Sequence, residues 1–153
     1  RDERREEQAR GVPEGTAGTG SCANCGAGKF QNQAGEASCK SCPANWWQDG
    51  AGQQACKSGA GCAVNGAKSS CAACPKGKAG TGSCANCGAG KFQDQTGKAA
   101  CKGCPANHWQ DAAGQSACKS GAGCAVAANK QSCAACAAGK AGTGPCGSWG
   151  AGP

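Results

Sequence analysis

The sequence predicts a small disulfide-rich fold: an elongated rod of tandem repeats made of coil, turns and short β-hairpins, with little or no helix outside the N-terminal segment. Three observations predict it. Cysteine supplies 17 of the 153 residues, above the roughly 8–10% that is typical of disulfide scaffolds. Leu, Ile, Met and Tyr are absent, so aliphatic side chains cannot build a conventional core. The cysteine spacing recurs with a period of 62 residues, which indicates a repeat architecture.

The repeat sets the domain organisation. Residues 19–80 and 81–142 are identical at 48 of 62 aligned positions. We therefore predict one cysteine-rich repeat at 19–80, a second at 81–142, a truncated third repeat or cap at 143–153, and a charged N-terminal arm at 1–18. Repeats of this kind contact mainly their neighbours, which is why a rod is expected.

The N-terminal arm has its own composition. It holds all four arginines and five of the nine acidic residues, for a net charge of −1, whereas the remainder carries twelve lysines and four acids, for +8. A helix of about ten residues is marginal in water. We expect either a disordered tail or an arm that becomes ordered by docking on another subunit.

The cysteine spacing predicts a ladder of disulfides. Closing a Cys-x-x-Cys pair on itself strains a structural bond, so the simplest scheme joins the second cysteine of each pair to the first of the next. Each bridge then closes a loop of about 10–15 residues and contributes about 2–3 kcal/mol. Overlapping pairings are the alternative, because connectivity is not fixed by sequence. The predicted bridges are Cys25–Cys39, Cys42–Cys56, Cys62–Cys71, Cys74–Cys84, Cys87–Cys101, Cys104–Cys118, Cys124–Cys133 and Cys136–Cys146.

One cysteine, Cys22, lies outside this ladder. Its counterparts in the later repeats, Cys84 and Cys146, pair with a cysteine of the preceding repeat, and Cys22 has no such partner. We predict that Cys22 is free, capped or bonded to another chain.

A longer motif begins at the second Cys-x-x-Cys pair of each repeat and ends at the following cysteine. The stretch Cys39-Lys-Ser-Cys-Pro-Ala-Asn-Trp-Trp-Gln-Asp-Gly-Ala-Gly-Gln-Gln-Ala-Cys56 resembles the short cysteine-rich repeats of the ephrin-receptor-like type, and residues 101–120 resemble them equally. Similar repeats occur in protist surface antigens and in the extracellular fibres and flagellar hairs of microbial eukaryotes. The resemblance implies an elongated, disulfide-laddered extracellular module without catalytic residues. Asn45 and Asn107 stand where the family usually has Gly.

The family's aromatic position is occupied about once per sub-repeat. We expect these rings to stack over the disulfides, because aromatic burial is the largest apolar contribution available to this chain. Two further tryptophans, Trp46 and Trp149, are expected at subunit contacts, where Trp is enriched, or in local packing. The rings at the family position are Phe30, Trp47, Phe92 and Trp109.

Zinc is the main alternative use of the cysteines. Residues 22–42 have the Cys-x2-Cys-x13-Cys-x2-Cys spacing of a four-cysteine zinc site. The pairs continue beyond this segment without a break, and a zinc site there would leave Cys56 and Cys62 as free thiols. We therefore predict no metal and no cofactor.

Residues for catalysis are sparse. His108 is the sole histidine, and the first repeat has Trp46 at its position. The acidic residues of the repeats are scattered, without the close pair that acid–base chemistry requires. The sequence predicts that the protein is not an enzyme.

Charge and hydropathy limit the expected partners. The repeats use Lys without Arg, which is poor equipment for bidentate phosphate or base contacts, so no nucleic acid is expected. Acidic polysaccharide or other glycans suit the positive field better. No stretch is long and apolar enough to predict a membrane span. The start without Met or an apolar segment suggests a mature product from which a signal peptide has been removed.

These features together predict a structural subunit of an extracellular filament or fibre that self-assembles head-to-tail, located outside the cell or on its surface. Unlike ends on a repeat protein favour such open assembly. The alternative is a ligand- or partner-binding ectodomain fragment of a cell-surface protein. A metal-binding thiol protein is a third hypothesis.

Overall fold

The computed structural model describes residues 11–138, 140–142 and 146–148. Within these residues every regular element is a β-strand of two or three residues, and consecutive strands pair as antiparallel hairpins. This confirms the predicted class, a small disulfide-rich repeat protein of turns and short hairpins. Trp149 and residues 1–10 of the predicted arm lie outside the described residues.

The strands follow one another in pairs along the chain. They are β1 Thr16–Ala17 with β2 Ala23–Asn24, β3 Lys29–Phe30 with β4 Lys40–Ser41, β5 Trp46–Trp47 with β6 Lys57–Ser58, β7 Cys62–Val64 with β8 Cys71–Ala73, β9 Lys78–Ala79 with β10 Ala85–Asn86, β11 Lys91–Phe92 with β12 Lys102–Gly103, β13 His108–Trp109 with β14 Lys119–Ser120, β15 Cys124–Val126 with β16 Cys133–Ala135, and β17 Lys140–Ala141 with β18 Gly147–Ser148.

A tight turn precedes each of the first strands of these hairpins. In the turn before β5, the Trp46 amide donates to the Pro43 carbonyl oxygen at 3.2 Å. The last turn residue lies in the left-handed region, with φ of 78° at Gly28, 64° at Asn45 and 59° at Asn107. Glycine enters this region freely and Asn is among the few other residues that tolerate it. This explains why Asn can replace the family's Gly at these two positions.

Two-residue strands cannot hold a hairpin on their own, and each hairpin is also bonded to the next. In the first three hairpins, the amide of Gly15 donates to the carbonyl of Gln31 at 2.8 Å, and the amide of Gly28 donates to the carbonyl of Gln48 at 2.7 Å. The backbones approach so closely that a Cβ at Gly28 would collide with the carbonyl oxygen of Ala67. Main-chain contact between hairpins therefore replaces the side-chain packing of an ordinary core.

The chain divides into two compact units. The described residues of Arg1–Ala73 together with Thr81–Ser83 form unit 1, and those of Cys74–Gly80 together with Cys84–Pro153 form unit 2. Unit 2 repeats the bonding of unit 1: the amide of Gly77 donates to Gln93 and that of Gly90 to Gln110, both at 2.7 Å.

Residues 11–18 of the predicted arm take part in this pattern. Because β1 pairs with β2 in the register that β9 and β10 adopt, residues 12–25 have the structure of residues 74–87. Val12 is 3% exposed and occupies the position of Cys74. The first hairpin thus begins before Thr19.

Apart from glycines, the buried residues are mostly cysteine and glutamine. They are Val12, Ala17, Cys25, Cys42, Cys74, Ala79, Cys87 and Cys104, together with Gln31, Gln48, Gln93 and Gln110.

Candidate functional site

A series of disulfides runs along the described part of the chain. The structure forms the eight pairs of the predicted ladder, with Cα atoms 5.4 to 5.8 Å apart, inside the usual range. Each 62-residue period contains loops with separations of 14, 14, 9 and 10 residues, one bridge for each hairpin. The pairs are Cys25–Cys39, Cys42–Cys56, Cys62–Cys71, Cys74–Cys84, Cys87–Cys101, Cys104–Cys118, Cys124–Cys133 and Cys136–Cys146.

These bridges leave no thiolate set at the zinc-like spacing. Of the four cysteines in 22–42, Cys25 and Cys39 bond to each other and Cys42 bonds to Cys56. The described residues contain no cluster of three or more His, Cys, Asp or Glu side chains that could hold a metal ion. His108 lies half-buried on β13, where its Nδ1 is 2.9 Å from the carbonyl oxygen of Ala106.

Four buried glutamines each hydrogen-bond to the backbone of the disulfide loop that contains them. Gln48 is 3% exposed; its Nε2 donates to the carbonyl of Ala55 at 2.7 Å, and its Oε1 accepts from the amide of Gly50 at 3.1 Å. Gln31, Gln93 and Gln110 make the same two bonds in their own loops. Because a buried amide left unpaired costs about 1–3 kcal/mol, each glutamine fixes the loop between its strand and the next cysteine. Sequence analysis did not single out these residues.

A lysine, an aromatic ring and an aspartate meet on the outer face of three hairpins. On β5–β6, Lys57 Nζ lies 2.6 Å from Asp49 and 4.8 Å from the centre of the Trp47 ring. The hydrogen bond from Lys57 is the main cause that lowers the pKa of Asp49 below its ordinary value. Lys102 does the same with Asp94 and Phe92, and Lys119 with Asp111 and Trp109.

These groups are exposed, and their contribution to stability is correspondingly small. The side chains of Lys57 and Asp49 are 51% and 54% exposed, and exposed ion pairs contribute little. On β3–β4 the aspartate is replaced by Asn32, which accepts from Lys40 at 2.8 Å. Three of the four rings at the family position, Trp47, Phe92 and Trp109, therefore carry a lysine on their faces. Stacking of the rings over disulfides stays a prediction.

The other aromatic predictions have different outcomes. Trp46 is exposed, with 43% of its surface accessible, and its role in a subunit contact stays a prediction. The indole Nε1 of Trp47 donates to the carbonyl of Ser58 at 3.3 Å, and Trp109 makes the equivalent bond to Ser120. The predicted contact of Trp149 lies outside the described residues.

Cys22 is exposed and is the one cysteine without a bridge in the described part of the chain, which includes all seventeen. The reason is a substitution elsewhere. In the second repeat, Cys84 bonds to Cys74, and Val12 stands where Cys74 stands. The matching tetrapeptides, Val12-Pro-Glu-Gly15 and Cys74-Pro-Lys-Gly77, are the signal that identifies the missing partner.

The backbone at Gly20, two residues before Cys22, also differs from its equivalent at Gly82 in the second repeat. Gly82 donates to the Gly59 carbonyl at 2.9 Å and accepts from the Val64 amide at 3.0 Å, so it binds the β7–β8 hairpin of unit 1. Its equivalent, Gly20, is exposed and makes neither bond within the described residues. Gly82 is held at φ 74° beside the Asn45 side chain, whereas Gly20 has no neighbouring atom within reach of a Cβ.

The hairpins, their bridges and their glutamines define a disulfide-laddered tandem-repeat protein. The family model described as tyrosine-protein kinase ephrin type A/B receptor-like matches residues 15–58, which comprise the hairpins β1–β2, β3–β4 and β5–β6. Residues 15–58 therefore form a cysteine-rich, ephrin-receptor-like segment, and its disulfide-bonded hairpins recur in the second unit. No curated protein sequence matches it at a significant level.

The disulfides and the family match together place the protein in the extracellular class, because disulfides of this density persist in oxidising compartments. Among the described residues, no helix has the length and apolar character needed to cross a membrane.

Proposed function

We propose that this protein is a non-catalytic structural subunit of an extracellular filament, in which copies of the chain associate through the outer faces of their repeats. Apart from Cys22, the cysteines and buried glutamines are committed to internal bonds. The described surface otherwise offers charged side chains, exposed rings and backbone edges for contact with other molecules.

The observation that carries the proposal is the duplication of one surface. Residues 12–73 and 74–135 build the same four hairpins with the same glutamine bonds. Their bridges are also the same, except in the first hairpin, where Val12 replaces the cysteine that would pair with Cys22. A molecule that presents one surface twice can contact a neighbour that is shifted by one repeat. Such a contact joins different parts of the two molecules, and it extends into a filament when its rotation does not close into a ring.

Sedimentation velocity and negative-stain microscopy over a wide concentration range test the proposal. The protein should first be treated with iodoacetamide under non-reducing conditions, so that Cys22 cannot form adventitious dimers. We expect concentration-dependent species larger than the dimer and elongated particles of uniform width. A single monomeric species at the highest attainable concentration, at both low and physiological salt, would refute the proposal.

A second candidate is a partner-binding ectodomain. Two observations favour it: the match of residues 15–58 to a receptor-type family model, and the exposed Gly20 edge, whose equivalent at Gly82 binds a hairpin. Capture of one defined surface protein from an extracellular fraction, by a chain that stays monomeric, would support this candidate over the filament. Loss of that capture in a Gly20→Pro variant, which lacks the edge amide, would place the contact at this edge.

A further inference from the structure

Two structurally equivalent surface regions occur in units 1 and 2. In unit 1 the loop after β3 lies against the first hairpin: Gly35 donates to the Val12 carbonyl at 2.9 Å, and Gly18 donates to the Glu36 carbonyl at 3.2 Å. In unit 2 the equivalent bonds join Gly97 to Cys74 at 2.8 Å and Gly80 to Lys98 at 3.2 Å. The two regions therefore have the same backbone structure and carry different side chains.

The side chains in these two regions have opposite charges. Unit 1 presents Glu14 and Glu36, which we call the acidic patch. Unit 2 presents Lys76 and Lys98 at the same two positions, with Lys78 in place of a threonine; these three form the basic patch. Each patch is held on one side by the turn before the first strand and on the other by the adjoining loop.

The patch side chains are available for contact. Glu14, Lys76 and Lys98 are exposed, and Glu36 and Lys78 are half-buried. Among the described residues, none of the five takes part in an ion pair. The one acidic group near the basic patch, Asp94, is already bonded to Lys102 at 2.7 Å.

The charge difference is confined to one half of the repeat. Residues 12–42 differ from 74–104 at eight positions, of which four change the charge, and the net charge rises from 0 to +4. Residues 43–73 differ from 105–135 at seven positions, and none of these changes the charge when histidine is neutral. The two halves have diverged about equally, but only the first half differs in charge. Three of its four charge differences lie in the patches, and the fourth is Asn32 against Asp94.

We propose that the acidic patch of one molecule binds the basic patch of a second copy. This inference rests on the proposed self-assembly and names the surface that drives it. Because each chain carries one patch of each charge, a contact leaves the first molecule with a free basic patch and the second with a free acidic patch, so the contact can propagate. Opposite patches also favour this register, since like patches that face each other repel.

Charge reversal tests the contact on the full chain with Cys22 alkylated. The acidic reversal is Glu14→Lys with Glu36→Lys, and the basic reversal is Lys76→Glu with Lys98→Glu. The control, Lys29→Glu with Lys91→Glu, has the same charge change as the basic reversal and alters two exposed lysines outside the patches. Non-reduced peptide mapping and circular dichroism first verify that each variant has the wild-type bridges and fold.

Self-association is then measured by sedimentation velocity at about 50 mM and 500 mM salt, where screening lengths differ roughly threefold. Each reversal alone should weaken self-association at least about tenfold, and the control should leave it within about threefold of wild type. An equimolar mixture of the two reversals should recover association, because each supplies the charge that the other lacks. High salt should also weaken the self-association of the wild-type protein.

The outcomes separate this inference from the proposed function. Self-association that survives both reversals unchanged would overturn the patch contact and leave the filament standing. A wild-type chain that stays monomeric at low salt would overturn both. Binding of a sulfated polysaccharide that is lost only in the basic reversal, without self-association, would assign the basic patch to an acidic glycan and overturn the inference.

Discussion

A ninth bridge should form when Val12 is replaced by cysteine. The local backbone is already set for it: the Cys25 amide donates to Gly15 at 2.9 Å and the equivalent Cys87 amide donates to Gly77 at 2.8 Å. Val12 lies at the position of Cys74, whose Cα is 5.4 Å from that of Cys84. The Val12→Cys side chain should therefore reach Cys22 without movement of the backbone.

The expected stabilisation follows from the loop length. Closing a loop of about ten residues restricts the unfolded chain by about 2.7 kcal/mol in the chain-entropy account. Exchanging the buried valine for the smaller cysteine removes up to about 1 kcal/mol of this gain. We expect a net stabilisation of about 2 kcal/mol, confined to the first hairpin because repeats respond mainly to their neighbours.

Thiol titration and hydrogen exchange measure the two consequences. Denatured wild-type protein should show one free thiol and the Val12→Cys variant none. Exchange of the Cys25 amide should slow by about thirtyfold, the factor that corresponds to about 2 kcal/mol in a local opening reaction. The matched control combines Val12→Cys with Cys22→Ser, which keeps one thiol and cannot form the bridge. Two persistent free thiols after oxidation, or a shuffled bridge in the peptide map, would refute the assigned equivalence of residues 12–25 and 74–87.

Three further predictions concern the loops and turns. Gln48→Glu should destabilise its hairpin by about 1–3 kcal/mol near neutral pH, because a buried carboxylate cannot donate to the loop carbonyl; urea titration should show the deficit shrinking in acid, where a protonated carboxyl donates again. Gly28→Ala should destabilise by at least about 1 kcal/mol through its φ of 78° and its crowded Cβ site, whereas Gly26→Ala in the same turn, where no atom lies within 4 Å of the Cβ, should change the thermal midpoint little. Lys57→Gln should raise the pKa of Asp49 toward the ordinary value in a carboxyl NMR titration, since the lysine bond is the main cause of the lowered pKa. The sign for stability is that the pair stabilises the fold above the ordinary aspartate pKa and loses this contribution as pH falls through the lowered one.

The ladder could be predicted because a disulfide needs close Cα atoms and a Gly-rich chain has few other ways to order itself. Bonding each cysteine to the next available one, outside its own Cys-x-x-Cys pair, gives short loops of similar length throughout. The hairpins are consistent with this pairing, since each bridge joins a residue at or next to the turn before a hairpin to the start of its second strand.

The buried glutamines could not be predicted from local sequence. A glutamine in a polar, Gly-rich segment is ordinarily exposed, and Gln54, a few residues beyond Gln48, is indeed exposed. Only the folded hairpin brings a loop carbonyl and a loop amide to both ends of the Gln48 side chain. Likewise, the left-handed backbone at Asn45 becomes visible only once the turn before β5 is in place.

The division of labour between backbone and side chains explains why repeats of this kind can change function without losing their fold. Bridges, glutamine amides and left-handed turns all act on the main chain, so they specify the hairpins whatever the outer side chains are. Exchanging Glu14 for the lysine at its equivalent position leaves each of these bonds in place. Here the outer face is free to vary, and the charge differences between the repeats are confined to residues 12–42 and 74–104.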